Sequence, residues 1–422
     1  MRSGFAGIVL LALVLCLSAS ICHAQAAEAG TLKVGIARVD ITPEGSVYMQ
    51  GFSGRDKTPS TGVYKEIEAS CVVLDNGVTR VAIMAIDVCK TDVSQVAKVR
   101  AVAAKLGIPP QHMMINSSHT HCGPRVMGNK NAEYVPVFEE RICGLLQAAI
   151  DDLAEAKLDY TVGSSTMAIN RRQLNAEGKC IGMRPEPRKQ MDPDVPVLRV
   201  LTPEGKVRAV IFGYACHPTT MGGHEIGPDF PGYARDWVEA AYPDAVAVYL
   251  QGCAGDIKPR YTLPSGRFGY VLLDAKETVA EIGHELGRAV VVATCVPPAP
   301  VGTWLGGRSE MTGIPTVKQV EDTPKGGLFP VEVHVLRIGD VYIVGLNGEI
   351  LVEIGLHIKR ELADLKMWVN GYSNRDLSYV ADAASFAEGG YETHRASWTT
   401  ADAEGILVAR TIELTRELAS AH

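Results

Sequence analysis

Several features that would send the reading elsewhere are missing. None of the ten cysteines forms a C-x-x-C pair, which removes the simplest cysteine-based metal and redox motifs. No long run of one charge sign occurs, and the net charge of -7 with pI near 5.9 argues against nucleic acid or an anionic membrane surface as partner. No repeat and no low-complexity linker divides the chain. The Gly-rich turn Gly252-Cys253-Ala254-Gly255-Asp256-Ile257-Lys258-Pro259 lacks the G-x-x-x-x-G-K-[ST] pattern of a phosphate loop. What remains is 422 residues of ordinary globular composition, 46% hydrophobic and 21% charged. That is enough for one large or two medium domains with a well-buried core.

The N-terminus reads as a secretory signal. Arg2 supplies a positive start, Gly7 to Ile21 an apolar stretch, and Ala24 and Ala26 small residues for cleavage. The stretch is too short, and too soon followed by Gln25 and Glu28, to favour a membrane span. Residues 1–26 are therefore expected to be removed, leaving an exported protein, periplasmic or extracellular. Cleavage would take Cys16 and Cys22 with it. Export permits disulfides among the other cysteines, but their pairing cannot be read from spacing, and Cys71 and Cys216 on apolar strands suit buried free thiols.

Apolar runs then alternate with helical patterns, which predicts an α/β fold of mixed sheets with flanking helices. The runs at 69–74 and 79–86 flank Asp75-Asn76-Gly77, a hairpin signal. Asp92 reads as the N-cap of a helix that Gly107 stops. Strands are expected near 113–115, 195–201, 207–214, 245–250, 331–338, 341–346 and 366–369, and helices near 135–155, 233–241, 272–292, 350–363 and 400–418. Residues 296–330, rich in Pro and Gly, read as loops.

Six apolar runs end in polar clusters: Asp87, then His119 and His121, His217, Gln251 and Asp256, Asn347 and Glu349, and Asn370 and Tyr372. Ligands of open α/β sheets bind beyond the carboxyl ends of strands, so an active site is expected along that edge. His119-Thr120-His121 is the sharpest element, because imidazole suits both zinc binding and proton transfer. Alone, however, an H-x-H pair also arises by chance. His217 before Pro218 reads equally as a turn residue, and Glu349 as a helix-start glutamate favoured by the helix dipole. Asp40 and Asp87 suit either ligand orientation or plain turns.

In register along most of the chain, these segments resemble the neutral/alkaline, non-lysosomal ceramidases in their N-terminal catalytic domain. Gly35 to Pro43 resembles the family's opening strand, His119 to Pro124 its H-T-H-S-G-P signature, and Ile169-Asn170-Arg171 its I-N-R motif. Tyr214 to Met221 resembles the second histidine segment, Gly348-Glu349 the metal glutamate, and Gly371 to Glu392 the tyrosine-rich stretch. The resemblance implies one zinc ion on His119, His217, Glu349 and Tyr379, with a position left for water. It further implies that His121 acts in proton transfer and that Arg171 and Tyr391 stabilise the oxyanion or orient substrate.

Two departures bear on substrate. Lys258 stands where the family's G-D-x-S-P serine belongs, and it either serves an anionic or carboxylate-bearing substrate or points away. The chain also ends near the expected end of the catalytic domain, without the family's C-terminal β-sandwich, so 27–422 is expected to be one catalytic domain. The reading is a zinc-dependent hydrolase of an N-acyl amide, acting on a ceramide-like or small-molecule amide, with peripheral membrane contact compatible and no obligate protein partner evident. Two alternatives stay open. One is a zinc hydrolase of a small polar amide or ester, such as an acylated sugar or cell-wall fragment. The other is a non-catalytic secreted binding protein of the same fold.

Overall fold

The computed structural model describes residues 31–421 apart from 53, 54, 56, 270–275 and 376. The expected signal segment and the first residues of the helix expected at 272 lie outside them. Among the described residues no helix is long and apolar enough to cross a membrane.

Three sheets carry the molecule, and each is built from the same unit. An antiparallel strand pair is followed by a crossover helix and then by a strand that adds in parallel. In the first sheet the unit is Glu68–Asp75, Arg80–Ile86, the helix Val93–Lys105 and Met113–Ser117. In the second it is Asp194–Leu201, Val207–Tyr214, the helix Phe230–Ala241 and Val246–Gln251. In the third it is Leu328–Ile338, Val341–Leu346, the helix Val352–Glu361 and Lys366–Asn370. The α/β architecture of mixed sheets and flanking helices is thus as expected. The internal repetition is not: it is one of layout, with no matching residue pattern for a sequence reading to find.

Burial explains the near-continuous apolar runs. Along Arg80–Ile86, Val81, Ile83 and Ala85 face a core shared with Ile211, Val248, Ile343 and Trp368 of the other two sheets. The alternate residues Ala82, Met84 and Ile86 pack outward with Val96 and Phe138 of the covering helices. Strands buried on both faces lose the polar alternation of a half-exposed sheet. At the centre, the Trp368 ring lies so close to Gly213 that a Cβ there would come within 2.7 Å of its indole nitrogen.

The helix Val93–Lys105 has the expected Asp92 cap, whose carboxylate accepts from the Ser94 and Gln95 amides. Two expectations fail. Within 296–330, read as loops, the strand Leu305–Pro315 pairs along its whole length with Leu328–Ile338. Its glycines disguised it, and they are there because neighbours come close: Trp304 covers Gly306, and the Gln111 carbonyl crowds Gly307. Glu349 does not open a helix either. It lies in the two-residue strand Glu349–Ile350, and the helix begins at Val352.

Candidate metal centre

In each unit the two parallel strands end toward the same point, and short main-chain bridges tie the three sheets together there. Asn116 bridges Ser373, and Gly252 bridges Asn370. Asn116 acts as the hub: its amide nitrogen donates to the Gly371 carbonyl at 2.9 Å, and its oxygen accepts from the Gln251 amide at 2.7 Å. The expected polar edge therefore exists, but three sheets share it.

His119 and His121 lie beyond the end of Met113–Ser117, in the loop. His119 adopts φ +64, a left-handed conformation that costs a non-glycine residue roughly 1–3 kcal/mol. Its amide donates to Val88 O at 3.0 Å and its Nδ1 to Cys89 O at 2.7 Å. His217 is held likewise, its amide donating to Ile257 O and its Nδ1 lying 2.5 Å from Ala254 O. Each carbonyl fixes a tautomer that turns the Nε2 lone pair inward. Glu349 is placed by main-chain pairing: its strand runs parallel to Tyr379–Val380, with Glu349 opposite Tyr379.

The donor atoms converge. Glu349 Oε2 lies 3.2 Å from His217 Nε2 and 3.4 Å from His119 Nε2. Donors held about 2.0–2.1 Å from a tetrahedral zinc are themselves about 3.3 Å apart, so the spacing fits such an ion. The charge states fit as well. Burial, and then the Arg171 charge, lowers His217 to about 4, so its ring is neutral. Burial works against the Glu349 carboxylate, yet the two imidazoles hold its carboxyl well below the usual range. A second group, Cys89, His119 and His121, is also close enough to hold an ion. It fits less well, because its sulfur approaches His119 at Nδ1, which already donates to the Cys89 carbonyl.

The remaining expected residues surround this cluster. Tyr379 stacks on His217, and its hydroxyl accepts from Arg171 Nη2 at 3.1 Å. Burial and then Glu349 push its phenol well above the ordinary value. Arg171 Nε donates to Glu392 at 2.8 Å. His121 Nε2 is 3.2 Å from His119 Nε2, while its buried Nδ1 has no hydrogen-bond partner among the described residues. Burial, then the two neighbouring imidazoles, push His121 well below its usual value. Gly51, at φ +116, lets its backbone lie against this ring, since a Cβ would meet His121 Cγ at 2.4 Å. Tyr391, 41% exposed, stands edge-on to Tyr379. Lys258 is buried in the strand Ile257–Pro259, yet it lines the same cavity rather than pointing away.

That cavity has a volume of about 300 Å³. Sequence reasoning missed Phe52, Cys89 and Lys90 in its wall. Cys89 and Lys90 follow the Asp87 strand end closely enough to have been suspected, whereas Phe52 carries no local signal. Asp87 and Asp40 play structural parts. Asp87 holds Arg235 at 2.6 Å, and exposed Asp40 accepts from the Thr42 amide. A larger cavity of about 550 Å³ beside residues 42–48 and 129–141 contains no histidine or cysteine. The chemistry lies in the smaller one.

Comparison with known proteins gives the same picture. The crystal structure of neutral ceramidase from Pseudomonas aeruginosa superposes with a TM-score of 0.77 over 92% of this chain and 74% of that one, at 20% identity. This chain has the neutral ceramidase fold. A structure described as ceramidase complexed with C2 matches equally, with TM-score 0.77 over 92% and 75% of the two chains at 19% identity. In sequence, the neutral ceramidase of Mycobacterium tuberculosis strain H37Rv is 22% identical over 67% of this chain. The match spans 60% of that relative's length. The resemblance to the neutral ceramidase family read from the motifs is borne out by these matches. No protein-family profile matches the chain.

Proposed function

We propose that this chain is an exported, metal-dependent hydrolase of N-acyl amides, of ceramidase type. In this reading zinc is held by His119, His217, Glu349 and Tyr379. The observation that carries it is the convergence of two tautomer-fixed imidazoles and one ionised carboxylate at zinc-like spacing. The curated relative and the structural matches support the amidase class. A bound zinc would supply Lewis acidity toward the scissile carbonyl and toward water.

The side chains supply the rest. His121 is held neutral, with a buried Nδ1 lacking a partner among the described residues, so it can accept a proton and pass it to the leaving amine. Arg171 remains cationic because Glu392 balances it, and its guanidinium faces the Tyr379 hydroxyl, where it can offset negative charge on the carbonyl oxygen. Tyr391 at the rim can orient the acyl or amine half. Donors that border a cavity favour catalysis over a purely structural metal, whose coordination is normally closed.

Metal analysis of the purified protein should find about one zinc per chain. His119→Ala and His217→Ala should each lose it, and neither should release fatty acid from a short-chain ceramide. Full metal content in both variants would sink the ligand assignment. Turnover undiminished in both would sink the mechanism.

A further inference from the structure

The cavity beside the metal cluster has an uneven charge. Lys90, Arg171 and Lys258 contribute three cationic side chains to its wall, against one carboxylate, Glu349. Glu349 is already turned toward the two imidazoles. The Asp229 carboxylate, whose charge acts on Lys258, is occupied by the Thr220, Met221 and Phe230 amides. Arg171 is engaged by Glu392 and Tyr379.

Lys258 is the odd member. Its main chain is fixed by pairing with Ile169, its side chain is 5% exposed, and its ammonium lies 5.0 Å over the Phe268 ring. Burying a lysine in a cavity wall costs free energy unless an anion meets it. Burial, and then Arg171, lower its pKa to about 8, so it is still mostly charged at neutral pH. A carboxylate entering the cavity would gain a charge-assisted hydrogen bond and relieve that cost.

Size points the same way. About 300 Å³ is the low end of the roughly 300–1,000 Å³ range of small-molecule pockets. The apolar side chains of the wall are chiefly Phe52 and Met183. Such a cup suits a short polar amide better than two long hydrocarbon chains.

We propose that the substrate carries a carboxylate, as a short-chain N-acyl amino acid does, and that Lys258 determines this specificity by binding that carboxylate. The proposal rests on the amide-hydrolase reading above and names its substrate class. The reaction balances simply: water adds across the C–N bond, giving a carboxylic acid and the free amino acid.

The test separates binding from turnover. The probe is the ketone isostere of N-butanoylglycine, in which a methylene replaces the amide nitrogen so that no bond can be hydrolysed. Its primary carboxamide is the neutral control, and both are titrated calorimetrically into the purified protein. The carboxylate should bind about tenfold more tightly than the carboxamide. Lys258→Met, which keeps a stem to pack on Phe268, should abolish most of that preference, and Lys258→Arg should retain it. Equal binding of the two probes to the wild type overturns the proposal whether or not the variants fold. So does a preference undiminished in Lys258→Met, which would assign the carboxylate to the metal or to Arg171. Hydrolysis of N-butanoylglycine and of a short-chain ceramide is measured separately. Failure to cleave either refutes the amidase reading without touching the binding result.

Discussion

Glu392 offers the clearest energetic test, because one carboxylate serves two buried arginines. Its Oε1 accepts from Arg171 Nε at 2.8 Å and its Oε2 from Arg172 Nη1 at 2.7 Å. All three side chains are at most 5% exposed. After Glu392→Gln, Arg172 keeps Glu388 at 3.1 Å and the Ser385 and Gly389 carbonyls. Arg171 keeps the Tyr379 hydroxyl but has no other carboxylate in salt-bridge range among the described residues. Removing one partner of a buried ion pair leaves an uncompensated charge and costs about 3–5 kcal/mol. The matched control is Asp244→Asn, which breaks the Lys206 pair at 3.1 Å, where the side chains are 64% and 78% exposed. That change should cost less than about 1 kcal/mol.

Equilibrium urea unfolding of both variants measures the difference. A Glu392→Gln midpoint corresponding to less than about 1 kcal/mol of destabilisation would refute the reasoning. The pH dependence adds a sign. Burial would raise the Glu392 carboxyl, but Arg171 and then Arg172 bring it below the ordinary value. A lowered folded value contributes stability above the unfolded pKa of about 4.3, and that contribution is lost as pH falls through the folded value. The gap between wild type and Glu392→Gln should therefore narrow in acid.

Gly51→Ala should push the His121 ring aside, since its Cβ would sit 2.4 Å from His121 Cγ. Amidase turnover should fall about tenfold to a hundredfold with metal content unchanged, and unchanged turnover would show that His121 is not held by this contact. Thiol labelling of the native protein should modify Cys295 first, because it is the exposed one among the described free cysteines. Rapid labelling of Cys71 or Cys216, both buried, would contradict the packing. Asp256→Asn should weaken the cluster indirectly. This carboxylate accepts from Asn170 and from the Val352 amide, joining the I-N-R segment to the segment after Glu349. The check is a lower zinc affinity in a chelator competition, and an unaltered affinity would leave Asp256 a purely local brace.

Periodicity and turn chemistry made most of the fold legible. The hairpin at Asp75-Asn76-Gly77, the Asp92 cap and the strand Val207–Tyr214 are local events, decided by residues a few positions apart. The strand Leu305–Pro315 was hidden because its glycines answer to Trp304 and Gln111 rather than to any local rule. The repeated unit was hidden because each sheet fills it with different residues.

The sequence by itself determined which residues stand beyond the strand ends: His119, His121, His217, Glu349 and Tyr379. An apolar run that closes on a polar residue is a local signal, and strand direction carries it to the site. Only the tertiary structure decided what those residues do together. Carbonyls from Cys89 and Ala254 turn the imidazoles inward, and strand pairing sets Glu349 against Tyr379. Glu392 reaches Arg171 across 221 residues of chain. The same packing turns Lys258 into the cavity, a direction that no spacing in the chain encodes. Such contacts depend on three sheets meeting at one point, and a one-dimensional pattern holds no record of which strand ends will meet.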